Sequence, residues 1–359
     1  GMSRATTATI HIEALRHNLS KVRALAPHSK VMAVVKADGY GHGLERVARA
    51  LEGADAFGVA ALSDAERLRA VGLSQRIVLL SGIDDASDLS AIRRLGVDTV
   101  VHHDSQLALL QQDTESEPVR VWLKLDTGMH RLGFAPERAN TIYTELKMMA
   151  NVHPDITLMT HFASSDEFGG QQTASQLKMF DETSKHLSGL HSLSNSAAIL
   201  GWPGAHQDWV RAGGALYGLS VVDDKTGADF GLKPAMSLST KLIAINYIKK
   251  GESIGYSATW QCPEDMPVGV AAIGYGDGYP RHAAAGTPVL VNGVRVPIIG
   301  RVSMDLMTLD LRGIPEAKVG DDVLLWGPEL PVEIIANAAG SISYELTCSI
   351  TRRVRFIEA

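Results

Sequence analysis

The chain has 359 residues, 45% of them hydrophobic and 21% charged, with a net charge of −6. These figures describe an ordinary soluble globular protein, large enough for two domains or for a barrel with an appendage. They argue against nucleic acid or an anionic membrane as partner, and no apolar run approaches the ~18 residues needed to span a bilayer.

The opening residues Gly1-Met2-Ser3-Arg4-Ala5-Thr6 contain no apolar segment of the kind that directs secretion, and Gly1 ahead of Met2 reads as the remnant of a removed tag. Ala8–Ile12 follows as a strand able to cross over to a later domain. The run Val31-Met32-Ala33-Val34-Val35 then ends on a lone lysine, Lys36, with Gly39, Gly41 and Gly43 close behind. A lysine in such a place must be paired, deprotonated or chemically used. With a lowered pKa it can form a Schiff base with an aldehyde such as pyridoxal phosphate, and the glycines would let backbone approach a phosphate. A snorkelling lysine beside an ordinary turn is the alternative.

From residue 31 to about 218, apolar strands alternate with amphipathic helical stretches. The strands are expected at Val31–Val35, Ala56–Ala60, Arg76–Ser81, Val97–His102, Val119–Leu125, Ile156–His161, Leu190–Ser194 and Asp208–Ala212. Ser63 and Glu66 suggest a capping box at the head of one helix. Strand–helix units in this number and at this spacing predict a (β/α)8 barrel; a doubly wound sheet would not need so many. Thirteen histidines invite a metal search, but the densest group, His102-His103-Asp104, matches no zinc spacing and reads as a strand end entering a helix cap.

After Tyr217-Gly218 the texture changes. Short alternating strands are expected at Ser237–Ile245, Val268–Ile273, Thr287–Val291, Val294–Ile299, Met304–Leu309, Asp322–Leu325 and Ile350–Phe356, with a hairpin at Asn292-Gly293 and a helix over Val332–Ala339. This predicts an α/β barrel domain over residues 1–230 and a mostly antiparallel β-domain over 231–359. Cys262 and Cys348 supply no disulfide framework, which points to the cytoplasm, and Cys348 sits in an alternation that reads as core.

In a barrel of this kind, functional groups collect at the C-terminal ends of the strands. Lys36, Lys124 with Asp126, Arg131 just beyond, His161, Asn195 with Ser196, and Arg211 before Gly213-Gly214 all fall there. Any one could be structural: Arg211 could pair with Asp208, and Lys124 with Asp126 or Asp104. Gly274-Tyr275-Gly276-Asp277-Gly278 mimics a dinucleotide loop but misplaces the third glycine and lies in no βαβ unit, so Asp277 is assigned to the turn itself.

Nine segments, taken in order, resemble the alanine racemase family: VKADGYGHG, KLDTGMHRLG, THFASSDE, NSAA, VRAGGALYG, IGYSATW, IGYGDGYPR, GRVSMD and SYE. The resemblance covers essentially the whole chain. It implies a homodimer with pyridoxal 5'-phosphate, interconverting L- and D-alanine, either to supply D-alanine for peptidoglycan or to break it down. Lys36 would hold the cofactor and then act as base on one face. Tyr256 from the second subunit would act on the other, supported by His161 and Arg211. Tyr40, Ser196, Gly213, Gly214 and Tyr344 would bind the phosphate. Arg211 would face the pyridine nitrogen and leave it unprotonated. Arg131 would take the substrate carboxylate, oriented by Lys124 as a carbamylated lysine. Met304 and Asp305 of the partner would close the pocket, with Asp166, Tyr275, Arg281 and Arg301 along the entrance. A decarboxylase on the same fold is disfavoured by arginine at position 211, and a one-domain cofactor carrier by the β-domain.

Overall fold

The first strand, β1 (Thr7–Ile10), does not join the barrel that follows it. The structure, a computed structural model, describes residues 5–359, so the reading of Gly1 and Met2 lies outside the described residues. After a helix over Ile12–Leu25, eight strands close into a parallel barrel: β2 (Lys30–Val34), β3 (Ala56–Val59), β4 (Arg76–Leu79), β5 (Val97–Val101), β6 (Val121–Lys124), β7 (Thr157–Met159), β8 (His191–Ser194) and β9 (Trp209–Ala212). β9 returns to β2 with Trp209 opposite Lys30. β3 and β5 are buried along their full lengths; β3 is accordingly apolar throughout, while β5 carries a buried Asp98 and Thr99 among its valines.

The barrel floor is plugged. Trp122 and Trp209 meet edge to face at 5.2 Å, and the Arg76 guanidinium lies over both rings. Arg76 pairs with buried Asp98 at 2.5 Å, and Asp98 also accepts from the Trp122 indole at 3.0 Å. Truncating either tryptophan would cost about 3–5 kcal/mol, so this end stays shut and the barrel opens only at its C-terminal mouth. One helix start differs from expectation. Ala61, not Ser63, precedes the helix Leu62–Ala70, and no side chain caps it. Reciprocal capping boxes are formed instead at Asp85 with Asp88 and at Thr226 with Asp229.

The remaining strands are β10 (Met236–Ile248), β11 (Ser253–Ile254), β12 (Trp260–Gln261), β13 (Met266–Ala271), β14 (Pro288–Val291), β15 (Val294–Ile299), β16 (Met307–Asp310), β17 (Asp322–Trp326) and β18 (Arg355–Glu358). Eight strands form one sheet in the order β13-β16-β15-β14-β17-β10-β1-β18, with β10 also pairing β13. β1 runs antiparallel to β10 and parallel to β18. Asn292 and Gly293 both take positive φ, at 49° and 80°, as a two-residue hairpin turn of type I′ requires.

Three expectations for this domain are corrected. The strand foreseen from Met304 begins at Met307, because Ser303 and Leu306 close a turn through Ser303 N–H to the Leu306 carbonyl at 3.0 Å. The last strand is shorter and later than Ile350–Phe356. The alternation around Cys348 is a helix, Ser343–Cys348, whose buried residues Ser343, Leu346 and Thr347 have helical spacing. Cys348 falls on its other side and is exposed, not core.

Candidate active site

Directly after Lys36 the backbone makes one left-handed turn: Ala37, Asp38, Gly39 and Tyr40 have φ of 52°, 54°, 63° and 54°. For the three residues with a side chain this costs about 1 kcal/mol each, so the surroundings must impose it. The Asp38 carboxylate accepts from the Leu44 amide at 2.9 Å and from Arg67 at 3.1 Å. Arg67 in turn grips Glu45 with two bonds, of 2.6 and 2.7 Å. The Tyr40 ring stacks on Tyr217 at 4.6 Å and meets the Tyr344 ring edge-on at 5.6 Å. Tyr217 is itself pinned by its hydroxyl to the Val34 carbonyl at 2.8 Å. The turn thereby delivers Tyr40 to a fixed place at the barrel mouth.

That mouth opens into a cavity of about 590 Å³. It brings together Lys36, Lys124, Arg131, His161, Asp166 and Arg211, with Tyr40, Ser196, Gly213, Gly214 and Tyr344 at one end. Lys36 is exposed, but the surface it shows lines this cavity. Partial desolvation, with Arg131 and Arg211 nearby, lowers its pKa. Lys124 is lowered to about 8, first by burial and then by Arg211, Arg131 and Lys36. Neither carboxylate considered for Lys124 pairs with it: Asp104 binds Arg138 at 2.6 Å and Asp126 binds His130 at 3.0 Å.

Arg211 is fully buried, which lowers its pKa to about 10 and still leaves it cationic. Nη1 donates to the Ser192 carbonyl at 2.9 Å and hydroxyl at 2.7 Å, and Nη2 to the Thr160 carbonyl at 2.8 Å. Nε takes part in none of these bonds. Asp208 is not its partner, since that carboxylate accepts from the His191 amide at 2.7 Å.

The tyrosine end is shaped for an anion. The Ser196 hydroxyl accepts from the amides of Gly213 at 2.9 Å and Ala215 at 3.1 Å. A Cβ on Gly213 would lie 2.4 Å from the Tyr40 hydroxyl, and one on Gly214 would lie 2.3 Å from the Tyr344 hydroxyl. Only glycine leaves this space open, and phenol, hydroxyl and amide donors converge around it. The chemistry of that set fits a phosphate ester, and the lysine amine across the cavity fits an aldehyde on the same molecule.

Six expected residues are not brought to this cavity within the chain. Tyr256 is 74% exposed and Met304 52% exposed on the β-domain. Asp305 there pairs with Arg353 at 2.5 Å, and Arg281 lies over the Tyr275 ring at 5.7 Å. Arg301 follows Gly300, which packs beside Ile254 at the base of the loop carrying Tyr256. One cavity residue, Cys348, stands where the sequence reading expects core. Tyr217, fully buried beneath Tyr40 and not itself lining the cavity, lies inside a quoted motif that gave it no role. Among the described residues no group of His, Cys, Asp and Glu is placed to hold a metal, and no helix is long and apolar enough to cross a membrane.

A barrel closed at its floor, with a partly desolvated lysine amine and a cradle of phosphate donors in one cavity at its mouth, is the arrangement of a barrel enzyme that carries an aldehyde cofactor on a lysine. Sequence profiles named "Alanine racemase, N-terminal domain" and "Alanine racemase, C-terminal domain" match residues 10–221 and 235–358. An alanine racemase of Nitrosococcus oceani is 54% identical over 347 residues, covering 97% of each chain. One from Coxiella burnetii is 48% identical over 362 residues, covering 99% of each. The crystal structure of the biosynthetic alanine racemase from Pseudomonas aeruginosa superposes with a TM-score of 0.96 at 43% identity, covering 99% of each chain. That of the Bartonella henselae enzyme, with covalently bound pyridoxal phosphate, gives 0.90 at 25% identity over 99% of each. The chain belongs to the alanine racemase family, isomerases that depend on pyridoxal phosphate and interconvert the enantiomers of alanine.

Proposed function

We propose that this chain racemises alanine as a homodimer, with pyridoxal 5'-phosphate in the cavity described and one base on each side of the substrate Cα. The reading is carried by one observation: a lysine of lowered pKa faces a phosphate-sized cradle of donors across a single cavity. The cofactor, when bound, supplies an electron sink that acidifies the α-proton of an attached amino acid.

The protein's own groups do the rest. Lys36 anchors the cofactor and takes or returns the proton on one face, a task suited to a partly desolvated amine. Tyr40, Ser196, Tyr344 and the glycine backbone at 213 and 214 hold the phosphate. Arg211, whose Nε makes none of the bonds described above, would face the ring nitrogen of the bound cofactor; because it does not give up its proton, that nitrogen would stay unprotonated and the electron sink weak. A weak sink limits side reactions at the carbon that has lost its proton.

The opposite face is assigned to Tyr256 of the partner subunit. His161, whose pKa falls to about 3, is too weak a base for that step, but it can link the tyrosine to Arg211. Met304 and Asp305 of the partner would narrow the pocket to a small side chain. Arg131 would hold the substrate carboxylate, with Lys124 as a carbamate beneath it, since a neutral buried lysine can add CO₂ and then pair bidentately with guanidinium. Asp166, Tyr275, Arg281 and Arg301 would line the way in. We assign the enzyme to the cytoplasm, where D-alanine is made for peptidoglycan or broken down.

Incubation of the loaded protein with L-alanine should give D-alanine up to a near-equal mixture. Mixing Lys36→Ala protein with the impaired Tyr256→Phe protein should raise activity above that of either alone, through sites built from one intact half of each. Mixtures no more active than either alone despite subunit exchange would remove Tyr256 from the shared site.

A further inference from the structure

His42 has no part in the chemistry above, yet it is completely buried directly behind the phosphate end of the site. Its Nδ1 lies 2.9 Å from the Tyr40 carbonyl and 3.1 Å from the Gly39 carbonyl. Both are acceptors, so Nδ1 must carry the proton and donate to them. Nε2 is then a lone pair, and it is buried without a hydrogen-bond partner. Leaving such a group unmet costs about 1–3 kcal/mol, a poor way to fill a space that leucine would fill without penalty. What the imidazole provides is the Nδ1 donor, aimed at two carbonyls of the left-handed turn. The ring also packs on Tyr217, 4.8 Å between centroids, and Tyr217 is the platform beneath Tyr40.

We infer that His42 is the positioning residue of the cofactor's phosphate site: it locks the left-handed turn so that the Tyr40 hydroxyl stands over Gly213. It touches neither cofactor nor substrate and acts through Tyr40. Burial lowers the His42 pKa to about 4, which keeps the ring neutral and the tautomer fixed at any working pH. The inference rests on the phosphate reading of the cradle, and one experiment separates the two.

Dissociation constants are measured by equilibrium dialysis of apo-protein against pyridoxal phosphate and against pyridoxal, which lacks the phosphate. The parent protein should prefer the phosphorylated form; no preference would overturn the cradle reading itself. In His42→Leu that preference should shrink about tenfold while pyridoxal binding is little changed, the effect expected when one hydrogen bond to a charged group is lost. His42→Asn places an amide N–H where Nδ1–H stood and should retain the preference. His42→Gln places it one atom too far and should lose it. In a Tyr40→Phe background the His42→Leu effect should largely vanish, because both act through one hydroxyl. Equal weakening of both ligands, or equal preference in the Asn and Gln variants, would reduce His42 to packing and overturn the inference. The Asn–Gln contrast decides the matter even if the leucine variant does not fold.

Discussion

Nη2 of Arg211 lies 3.3 Å from Nδ1 of His161. Arginine has only donors, so this contact makes Nδ1 the acceptor and puts the imidazole proton on Nε2. Burial first, and Arg211 second, lower the His161 pKa from 6.5 to about 3. The folded protein therefore holds this ring neutral through most of the acid range, while the unfolded chain protonates it.

Stability follows from that difference. Between about pH 6.5 and pH 3 the unfolded state binds more protons at His161, so stability falls as the pH drops and is complete above that window. Urea midpoints at pH 7 and pH 4.5 should lie closer together in His161→Asn than in the parent. An unchanged gap would show that the ring is not held neutral.

Arg211→Lys should destabilise the barrel by about 2 kcal/mol, because a lysine cannot satisfy the Ser192 and Thr160 carbonyls in the same forked geometry. Urea denaturation of the cofactor-free protein measures it. A change within error would mean that water replaces the guanidinium.

Tyr256→Phe should lower turnover by about a hundredfold or more while leaving cofactor absorption intact. Solvent deuterium should still exchange into one enantiomer of alanine faster than into the other. Equal impairment of the two would argue against a base with a single face.

With its pKa near 8, Lys124 is roughly one-tenth neutral at pH 7, and the neutral fraction grows as the pH rises. Protein equilibrated with ¹³C-bicarbonate should show a carbamate carbonyl resonance that strengthens through pH 8 and is missing in Lys124→Arg. A signal retained in that variant would place the carbamate elsewhere.

Gly214→Ala should weaken cofactor binding at least about tenfold by driving the Tyr344 hydroxyl out of the cradle. Gly214 has no positive φ to forbid alanine, so any fall in the thermal midpoint of the cofactor-free protein would report displacement of the Tyr344 ring, whose atoms lie 2.6 and 2.7 Å from the added Cβ, and not backbone strain. Unaltered affinity would show that the hydroxyl has room to move.

The barrel was legible because parallel strands buried on both faces are mostly apolar, as Val31–Val35 is throughout; Val97–Val101 departs from this only at Asp98, which Arg76 and the Trp122 indole satisfy, and at Thr99. The polar residues that interrupt such runs had to stand at their ends, which is why Lys36, Lys124, His161 and Arg211 could be named together. Asn292-Gly293 was legible for a different reason, since few other pairs tolerate two positive φ angles. Cys348 was misplaced because a six-residue segment can satisfy the strand period and the helix period at once. Ser63 looked like a cap, but the chain leaves β3 with Ala61 already extended at the helix start. The glycines after Lys36 announced a turn, yet nothing in Ala37, Asp38 or Tyr40 announces positive φ; tertiary contacts impose it. The role given to Tyr256 needs a second chain and could come only through resemblance.

The placement of β1 between β10 and β18 has a consequence for how the molecule comes into being. The Ala359 amide donates to the Ile10 carbonyl at 2.9 Å, so segments far apart in the sequence are tied side by side. A ribosome can release the whole barrel before β18 has been made, so β1 must wait for a partner synthesised long after it. The barrel can close in the meantime, whereas the β-domain sheet is complete only once β18 has emerged. A chain lacking β18 would leave β1 as an unprotected edge.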